Sequence, residues 1–228
     1  MIVGDGLLAR AFAARYADDA RVTVFASGVS NSQEADSAPF ERERALLDTH
    51  LATASTLVVY FGSCAVGASE EPQTPYIRHK QAMEARVAGS GRGLVLRLPQ
   101  VVGATRNPNT LTNFLRDRIA AGTPFTAWSG AERSLIDIDD IVTIGSRMID
   151  DGARPQPLAI APPRALSMPA IVAIFEQVLG RTAQAEWIAR GAPLHIEATE
   201  AWRIAAGLGL DLGEGYAERV IRKYYAAR

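Results

Sequence analysis

The sequence predicts an α/β protein with a truncated, doubly wound parallel sheet and a small α/β C-terminal lobe. Short apolar, β-branched segments alternate with helical segments as far as Pro99. A glycine-rich turn joins the first strand to the first helix, and no internal repeat or low-complexity tract interrupts this order. Strands that alternate with helices form βαβ units, so the strands are expected to run parallel with right-handed crossovers.

The predicted elements follow from apolar periodicity and from glycine and proline boundaries. Strands are predicted at residues 1–3, 22–25, 57–61, 94–98, 134–138 and 158–160. Helices are predicted at residues 7–16, 40–54, 75–88, 110–121, 139–150 and 168–179, and a last helix ends at Tyr225. The pattern is less regular after Pro99, where the sheet gives way to the lobe.

Composition excludes several classes of protein. The 228 residues carry a formal net charge of −1 and no basic run, which argues against a nucleic-acid partner. Cys64 is the one cysteine, so an intrachain disulfide is impossible and a reducing compartment is expected. Because no apolar stretch approaches the roughly 20 residues that span a bilayer, and no signal peptide is recognised, we expect a cytoplasmic protein without a membrane partner.

Lysine is rare in this chain, which has two lysines and twenty-two arginines. One of the two, Lys80, lies four residues after Tyr76, so that on a helix the two side chains share a face. A neighbouring ammonium favours the phenolate and is predicted to lower the tyrosine pKa from about 10. The pair is therefore a candidate proton-transfer site, for which a permanently charged arginine is no equivalent.

The first strand is followed by the sequence G-x-G-x-x-A, which comprises Gly4, Asp5, Gly6, Leu7, Leu8 and Ala9. The first glycine permits a tight turn, and the second lets a pyrophosphate approach the backbone N–H groups at the start of the helix. Residues 4–8 are therefore candidates for binding a dinucleotide. The alternative is an ordinary turn between a strand and a helix.

Ser63 lies at the C-terminal end of the third predicted strand. Ligands of open parallel sheets bind outside the carboxyl ends of the strands, so Ser63 is placed to donate a hydrogen bond to a substrate oxygen. Its alternative role is to cap a loop. Cys64 follows it and is assigned with it to the substrate wall, although a small buried side chain also suits a packing role.

Four segments together resemble the short-chain dehydrogenase/reductase superfamily and, more narrowly, its extended branch of NAD-dependent sugar-nucleotide epimerases and dehydratases. Leu57-Val58-Val59-Tyr60-Phe61-Gly62-Ser63 resembles the family strand that presents the catalytic serine or threonine. Thr74-Pro75-Tyr76-Ile77-Arg78-His79-Lys80, followed by Glu84, resembles the catalytic helix. Leu96-Arg97-Leu98-Pro99-Gln100-Val101-Val102-Gly103 is similar to the R-x-P-x-x-x-G segment, and Arg133 with residues 136–141 matches R-x-x-I-D-x-D-D-I.

The resemblance implies a Rossmann-like fold, an NAD or NADP cofactor, a nucleotide-sugar substrate and a role in surface polysaccharide synthesis. It implies that Tyr76 is the general acid/base, that Lys80 lowers the pKa of Tyr76 and holds the nicotinamide ribose, and that Ser63 orients the reacting oxygen. Pro99 would line the nicotinamide end, Arg133 would bind the substrate phosphates, and Asn113 would contact the sugar nucleotide. A homodimer through the helices at 40–54 and 75–88 is a further expectation.

The N-terminal part of the chain departs from the family pattern. Residues 22–25 are followed by Ala26, Ser27 and Gly28, which look like the later family loop over the pyrophosphate and the nicotinamide ribose. The usual second and third strands would then be absent, and with them the acidic residue that binds the adenosine ribose. NAD and NADP are not distinguished by the sequence, and a non-redox nucleotide-sugar-binding subunit is the alternative function.

Residues 1–150 are accordingly predicted to be a shortened Rossmann-like core, with part of the substrate lobe at 103–133, and residues 151–228 to be mainly lobe. Asp137, Asp139 and Asp140 invite interpretation as a metal site. A carboxylate at a helix start is explained by N-capping and by the helix dipole, so no metal site is predicted.

Overall fold

A computed structural model describes residues 1–53, 56–67 and 73–226. Its strands are β1 (Ile2–Val3), β2 (Val22–Phe25), β3 (Leu57–Ser63), β4 (Gly93–Leu98), β5 (Gln100–Val102), β6 (Phe125–Trp128), β7 (Glu132–Arg133), β8 (Leu135–Asp137), β9 (Leu158–Ala159), β10 (Leu166–Ser167) and β11 (Ala185–Ile188). Its α-helices are α1 (Leu7–Tyr16), α2 (Ser37–Thr53), α3 (Pro75–Gly89), α4 (Leu111–Ala121), α5 (Ile138–Asp150), α6 (Met168–Leu179), α7 (Thr199–Gly207) and α8 (Tyr216–Tyr225), and a 3-10 turn covers Cys64–Gly67.

The central sheet has five strands in the order β1-β2-β3-β4-β9, and every neighbouring pair is parallel. Helices cover both faces of such a sheet, so its strands are nearly continuous runs of apolar residues. In β3, residues 58–61 are all buried. The predicted α/β fold with a parallel, Rossmann-like sheet is confirmed.

Strand β1 lies at the edge of this sheet and pairs with β2, to which α1 connects it directly. This is the arrangement that a sheet without the usual second and third strands requires. Gly4 leaves β1 with a φ of +115°, and a β-carbon there would lie 2.6 Å from the carbonyl oxygen of Ala26. Glycine is therefore needed for the close approach of the first turn to the end of β2.

The lobe contains three small two-stranded sheets, formed by β5 with β8, β7 with β10 and β6 with β11. Of the strands after Pro99, the sequence predicted β8 and the central strand β9 but missed β5, β6, β7, β10 and β11. Helix α7 was also missed; its N-cap, Ala198, provides no side-chain hydrogen bond and so no capping signal. The C-terminal segment predicted to form mainly the lobe contributes β9 to the central sheet.

Predicted and observed boundaries of the other elements differ by a few residues. Helix α2 begins at Ser37, three residues before Phe40, and its predicted last residue, Ala54, lies outside the described part of the chain. Strand β3 continues to Ser63, beyond the predicted end at Phe61. Thr110, predicted inside α4, is its N-cap and accepts a hydrogen bond from the backbone N–H of Asn113.

The second lysine fastens the C-terminal helix to the start of α5. Lys223 Nζ donates hydrogen bonds of 2.7 Å to Asp137 Oδ2 and to Asp139 Oδ2. Tyr224 donates to Asp137 Oδ1 at 2.7 Å, and Tyr216 donates to Asp140 Oδ2 at 2.6 Å. The three aspartates of the I-D-x-D-D motif therefore have partners in α8 and serve to join the two helices.

Among the helices of residues 1–53, 56–67 and 73–226, none combines the length and the hydrophobicity that a bilayer crossing needs.

Candidate active site

A cavity of about 1300 Å³ opens at the carboxyl ends of β2, β3 and β4 and extends to the lobe. Sheet residues, the start of α1, the start of α3, the 104–111 segment and the lobe strands β6 and β7 all contribute to its lining. Its position is the one at which open parallel sheets bind ligands.

The cavity brings together most of the residues that the sequence singled out. Its lining includes Gly6, Leu7, Leu8, Ala26, Gly28, Ser63, Cys64, Tyr76, Lys80, Pro99 and Arg133. Four predicted site residues are not part of the lining, namely Gly4, Asp5, Ser27 and Asn113. Gly4 and Asp5 form the turn behind the lining, where the carbonyl oxygen of Asp5 accepts a 2.6 Å hydrogen bond from Arg10 Nη1.

The start of α1 is suited to bind an anion. Its N-cap, Gly6, makes no side-chain hydrogen bond to the helix, and the first turn of α1 is part of the cavity wall. A β-carbon on Gly6 would meet no protein atom within 4 Å, so the space in front of this residue is open. Uncapped backbone N–H groups and the helix dipole together fit a diphosphate at this point.

Tyr76 is the second residue of α3. Thr74 is the N-cap of this helix, and Pro75 is its first residue. Its side chain lines the cavity but is 9% exposed. Burial raises the pKa of Tyr76 to about 12, although hydrogen bonding with the Ser63 side chain lowers it. Ser63, at the end of β3, also caps the following turn, because its Oγ accepts a 3.3 Å hydrogen bond from the Ala65 N–H.

Lys80 lies one helical turn beyond Tyr76, with its Nζ 5.9 Å from the centre of the Tyr76 ring. Its hydrogen bonds go elsewhere: Nζ donates to Glu43 Oε1 at 3.1 Å and to the Tyr60 hydroxyl at 3.0 Å. The prediction that Lys80 lowers the pKa of Tyr76 is wrong for this structure. Burial dominates that pKa, and the charge of Lys80 is compensated by the carboxylate of Glu43.

Sequence reasoning missed Glu43, a fully buried residue of α2. Its Oε2 accepts hydrogen bonds of 2.6 Å from the Val29 N–H and 2.9 Å from His79 Nε2, and its Oε1 accepts a 2.6 Å bond from Tyr60. Burial opposes ionisation, but the bonds from His79, Lys80, Tyr60 and Val29 hold the pKa of Glu43 at about 2. The carboxylate is therefore ionised at neutral pH.

A signal for Glu43 was present in the sequence. It lies three residues after Phe40 and four before Leu47, and this spacing puts it on the apolar stripe of α2. The neighbouring charges Glu41, Arg42 and Arg44 are exposed, so Glu43 lies within a run of charged residues at the start of the helix. A charged residue at a position of the apolar stripe is the signal that distinguishes Glu43 from its exposed neighbours.

Asn113 lies beside the cavity as a buried support. Its Nδ2 donates to the carbonyl oxygens of Thr105 and Asn107 at 2.9 and 2.8 Å, and its Oδ1 accepts a 2.9 Å bond from Tyr225. The amide thus holds the 105–107 segment in place, and its hydrogen bonds to protein groups replace the predicted substrate contact. Arg106, Asn107 and other residues of the same segment line the cavity instead.

Arg133 reaches the cavity from β7, where its Nη1 donates a 2.7 Å bond to the carbonyl oxygen of Glu132. Cys64 is buried, and this burial raises the pKa of its thiol to about 12. The thiol is protonated at neutral pH, which favours a packing or wall role over a nucleophilic one. Within the described residues, no group of three or more His, Cys, Asp and Glu side chains could hold a metal ion.

The parallel sheet, the glycine turn and the tyrosine–lysine helix define a Rossmann-like member of the short-chain dehydrogenase/reductase superfamily. The model of the family described as "NAD dependent epimerase/dehydratase family" matches residues 6–161, and the chain belongs to this family. The comparison with curated proteins found no match.

Solved structures of the same fold include several sugar-nucleotide enzymes. UDP-glucose 4-epimerase of Thermus thermophilus, solved with NAD, has a TM-score of 0.70 and 13% identity over 89% of this chain and 75% of its own. dTDP-glucose 4,6-dehydratase of Bacillus anthracis, also with NAD, has a TM-score of 0.68 and 16% identity over 90% and 71%. UDP-N-acetylglucosamine 4-epimerase of Methanobrevibacter ruminantium, with UDP-N-acetylmuramic acid, has a TM-score of 0.71 and 13% identity over 90% and 75%.

Proposed function

We propose that this protein is an NAD- or NADP-dependent enzyme of the epimerase, dehydratase or reductase type that acts on a nucleotide sugar. The observation that carries the proposal is that Ser63, Tyr76 and Lys80 line the same cavity as the open N-terminus of α1. Acid–base side chains and a diphosphate site at one sheet end are what such chemistry needs. Membership of the family supports the same class of reaction.

The described residues fit a dinucleotide at its pyrophosphate and nicotinamide ends. The first turn of α1, with Gly6, Leu7 and Leu8, would hold the diphosphate. The segment after β2, with Ala26 and Gly28, would lie along the nicotinamide ribose together with Lys80 and Pro99. When bound, the dinucleotide supplies or accepts the hydride. A β-carbon at Gly28 would lie 2.8 Å from Lys80 Nζ and 2.9 Å from Glu43 Oε1, so a side chain there would displace both charged groups.

The substrate side of the cavity provides the other groups of the reaction. Ser63 orients the reacting oxygen by a hydrogen bond, and Tyr76 gives or takes the proton at its hydroxyl. Arg133, with Arg106 on the opposite segment, offers guanidinium groups to the diphosphate of a nucleotide sugar. A role in surface polysaccharide synthesis is proposed only by analogy at the level of the fold. A homodimer through α2 and α3 is part of the same proposal.

Isothermal titration with NAD, with NADP and with a panel of UDP- and TDP-sugars tests the proposal. We expect binding of a dinucleotide and of at least one nucleotide sugar by the parent protein. The Tyr76→Phe variant is expected to keep both affinities and to lose turnover. Nucleotide-sugar binding without any dinucleotide binding would reject the enzyme and support the alternative of a non-redox binding subunit.

A further inference from the structure

A buried network of ionisable groups lies directly beneath the candidate active site and joins α2, β3 and α3. Glu43 accepts hydrogen bonds from Lys80, Tyr60, His79 and the Val29 N–H, at distances between 2.6 and 3.1 Å. Glu43 is fully buried and Lys80 is 3% exposed. A buried charge is costly unless it is paired, so this carboxylate and this ammonium depend on each other.

The network determines where the ammonium of Lys80 lies. Two hydrogen bonds, to Glu43 and to Tyr60, draw Nζ toward α2 and β3, and its separation from the Tyr76 ring centre is 5.9 Å. Gly28 closes the network from the β2 side, where any side chain would collide with both charged groups. The positive charge of Lys80 is therefore compensated by the carboxylate of Glu43 before it can act on Tyr76.

The other groups around Tyr76 do not restore the missing positive charge. Ser63 and Cys64 face it from the end of β3, and Glu84 lies on its own helix, α3. Glu84 is paired with Arg97 of β4 through hydrogen bonds of 3.0 and 2.7 Å to its Oε2. His79 is bonded to Glu43, and the guanidinium groups of Arg10, Arg106 and Arg133 line the wider cavity. Both carboxylates favour a proton on the phenol.

We propose that Glu43 is a positioning residue that compensates the charge of Lys80 and so keeps the proton on the Tyr76 hydroxyl in the resting site. A phenol donates a proton to a carbonyl oxygen, whereas only a phenolate removes one from a hydroxyl. The resting site is thus prepared for a carbonyl-bearing sugar nucleotide, and this inference rests on the proposed function. With a reduced dinucleotide bound, the cofactor would supply a hydride to the carbonyl carbon, Tyr76 would give its hydroxyl proton to the carbonyl oxygen, and the resulting phenolate would regain a proton from water.

Ultraviolet titration of tyrosinate tests this inference without turnover. The protein has six tyrosines, and the absorbance difference between the parent and the Tyr76→Phe variant isolates the signal of Tyr76. We expect no Tyr76 signal below pH 10 in the parent, and a midpoint lower by about one pH unit in Glu43→Gln, because this change removes a negative charge that favours the proton on Tyr76. Glu43→Asp, which keeps the charge, is expected to restore the behaviour of the parent. Glu41→Gln, an exposed change on the same helix, is the matched control and leaves the midpoint unchanged.

Two results would overturn the inference. One is ionisation of Tyr76 near neutral pH in the parent protein, which is measured even if Glu43→Gln does not fold. The other is an unchanged midpoint in a folded Glu43→Gln protein. A calorimetric titration of the same preparations with NAD and NADP keeps the two proposals apart: dinucleotide binding with a low Tyr76 midpoint rejects this inference alone, and absence of any dinucleotide binding rejects the proposed function.

Discussion

Lys80 donates a 3.1 Å hydrogen bond to Glu43, and this buried ion pair joins α3 to α2 beneath the cavity. The pair gives one of the two lysines a specific role, for which the bulkier, planar guanidinium of arginine is no equivalent. It also explains why proximity of lysine to tyrosine in the sequence does not by itself acidify the phenol. The pKa of Tyr76 depends on the summed charge of Lys80 and Glu43.

Replacement of Glu43 by glutamine is expected to destabilise the protein by about 3 kcal/mol at pH 7, because removal of one partner leaves a buried charge unpaired. The pKa of Glu43 is about 2 in the folded protein, below its ordinary value of 4.5. Its contribution is therefore complete above pH 4.5 and decreases as the pH falls toward 2. Urea unfolding of the parent, Glu43→Gln and the control Glu41→Gln between pH 3 and 7 checks this. A gap between parent and variant that widens on acidification would contradict it.

Replacement of Tyr76 by phenylalanine removes the proposed proton donor while the ring still fills its place. We expect turnover of the nucleotide sugar to fall by about 10²- to 10⁴-fold, the usual contribution of a general acid or base. The affinity for the dinucleotide is expected to stay within a few-fold of the parent. Steady-state kinetics with parallel calorimetry provide the measurement. Full turnover by a folded Tyr76→Phe protein would remove Tyr76 from the mechanism.

The sequence predicted the central sheet well because its signals are local. Apolar β-branched runs gave β2 and β3, and the glycine turn gave the start of α1. The same local signals placed Ser63, Tyr76 and Lys80 at one end of the sheet, and the structure puts all three on one cavity. Local patterns were sufficient wherever an element carries its own periodicity.

The rest depended on tertiary contacts that no spacing encodes. Asn113 resembled a substrate ligand by its place in the chain, but three hydrogen bonds to residues of two other segments use its amide. Glu43 was not singled out, because its partners lie up to 37 positions away. The short lobe strands pair across distances of up to 60 positions, as between Phe125 and Ala185. Each of these errors concerns a group whose partner is remote in the sequence.

Replacement of Lys223 by glutamine is expected to loosen α8. The pKa of Lys223 is raised above its ordinary value: burial lowers it, but hydrogen bonds to Asp137 and Asp139 outweigh burial, so the side chain is charged throughout the neutral range. Because the side chain is 44% exposed, solvent screens the pair and the expected loss of stability is only about 1 kcal/mol. Arg222→Gln, which breaks an exposed pair with Glu218 within α8, is the matched control.

Limited proteolysis and urea unfolding measure the effect of Lys223→Gln. Cleavage within residues 208–226 is expected to become faster in this variant than in the parent or in Arg222→Gln. Equal protection of all three proteins would show that the tyrosine hydroxyls of α8, and not the ammonium, hold the helix in place.

Replacement of Gly6 by alanine separates cofactor binding from folding. The backbone of Gly6 (φ −69°, ψ −172°) suits alanine, and the added methyl group would meet no protein atom within 4 Å. The thermal midpoint is therefore expected to match that of the parent. The same methyl group would occupy the space in front of the α1 N-terminus, so the affinity for NAD and NADP is expected to fall by roughly tenfold or more. Gly89→Ala at the end of α3, another glycine with no atom within 4 Å, is the matched control and should leave both quantities unchanged. Unaltered dinucleotide affinity in a folded Gly6→Ala protein would mean that the diphosphate does not lie at the start of α1.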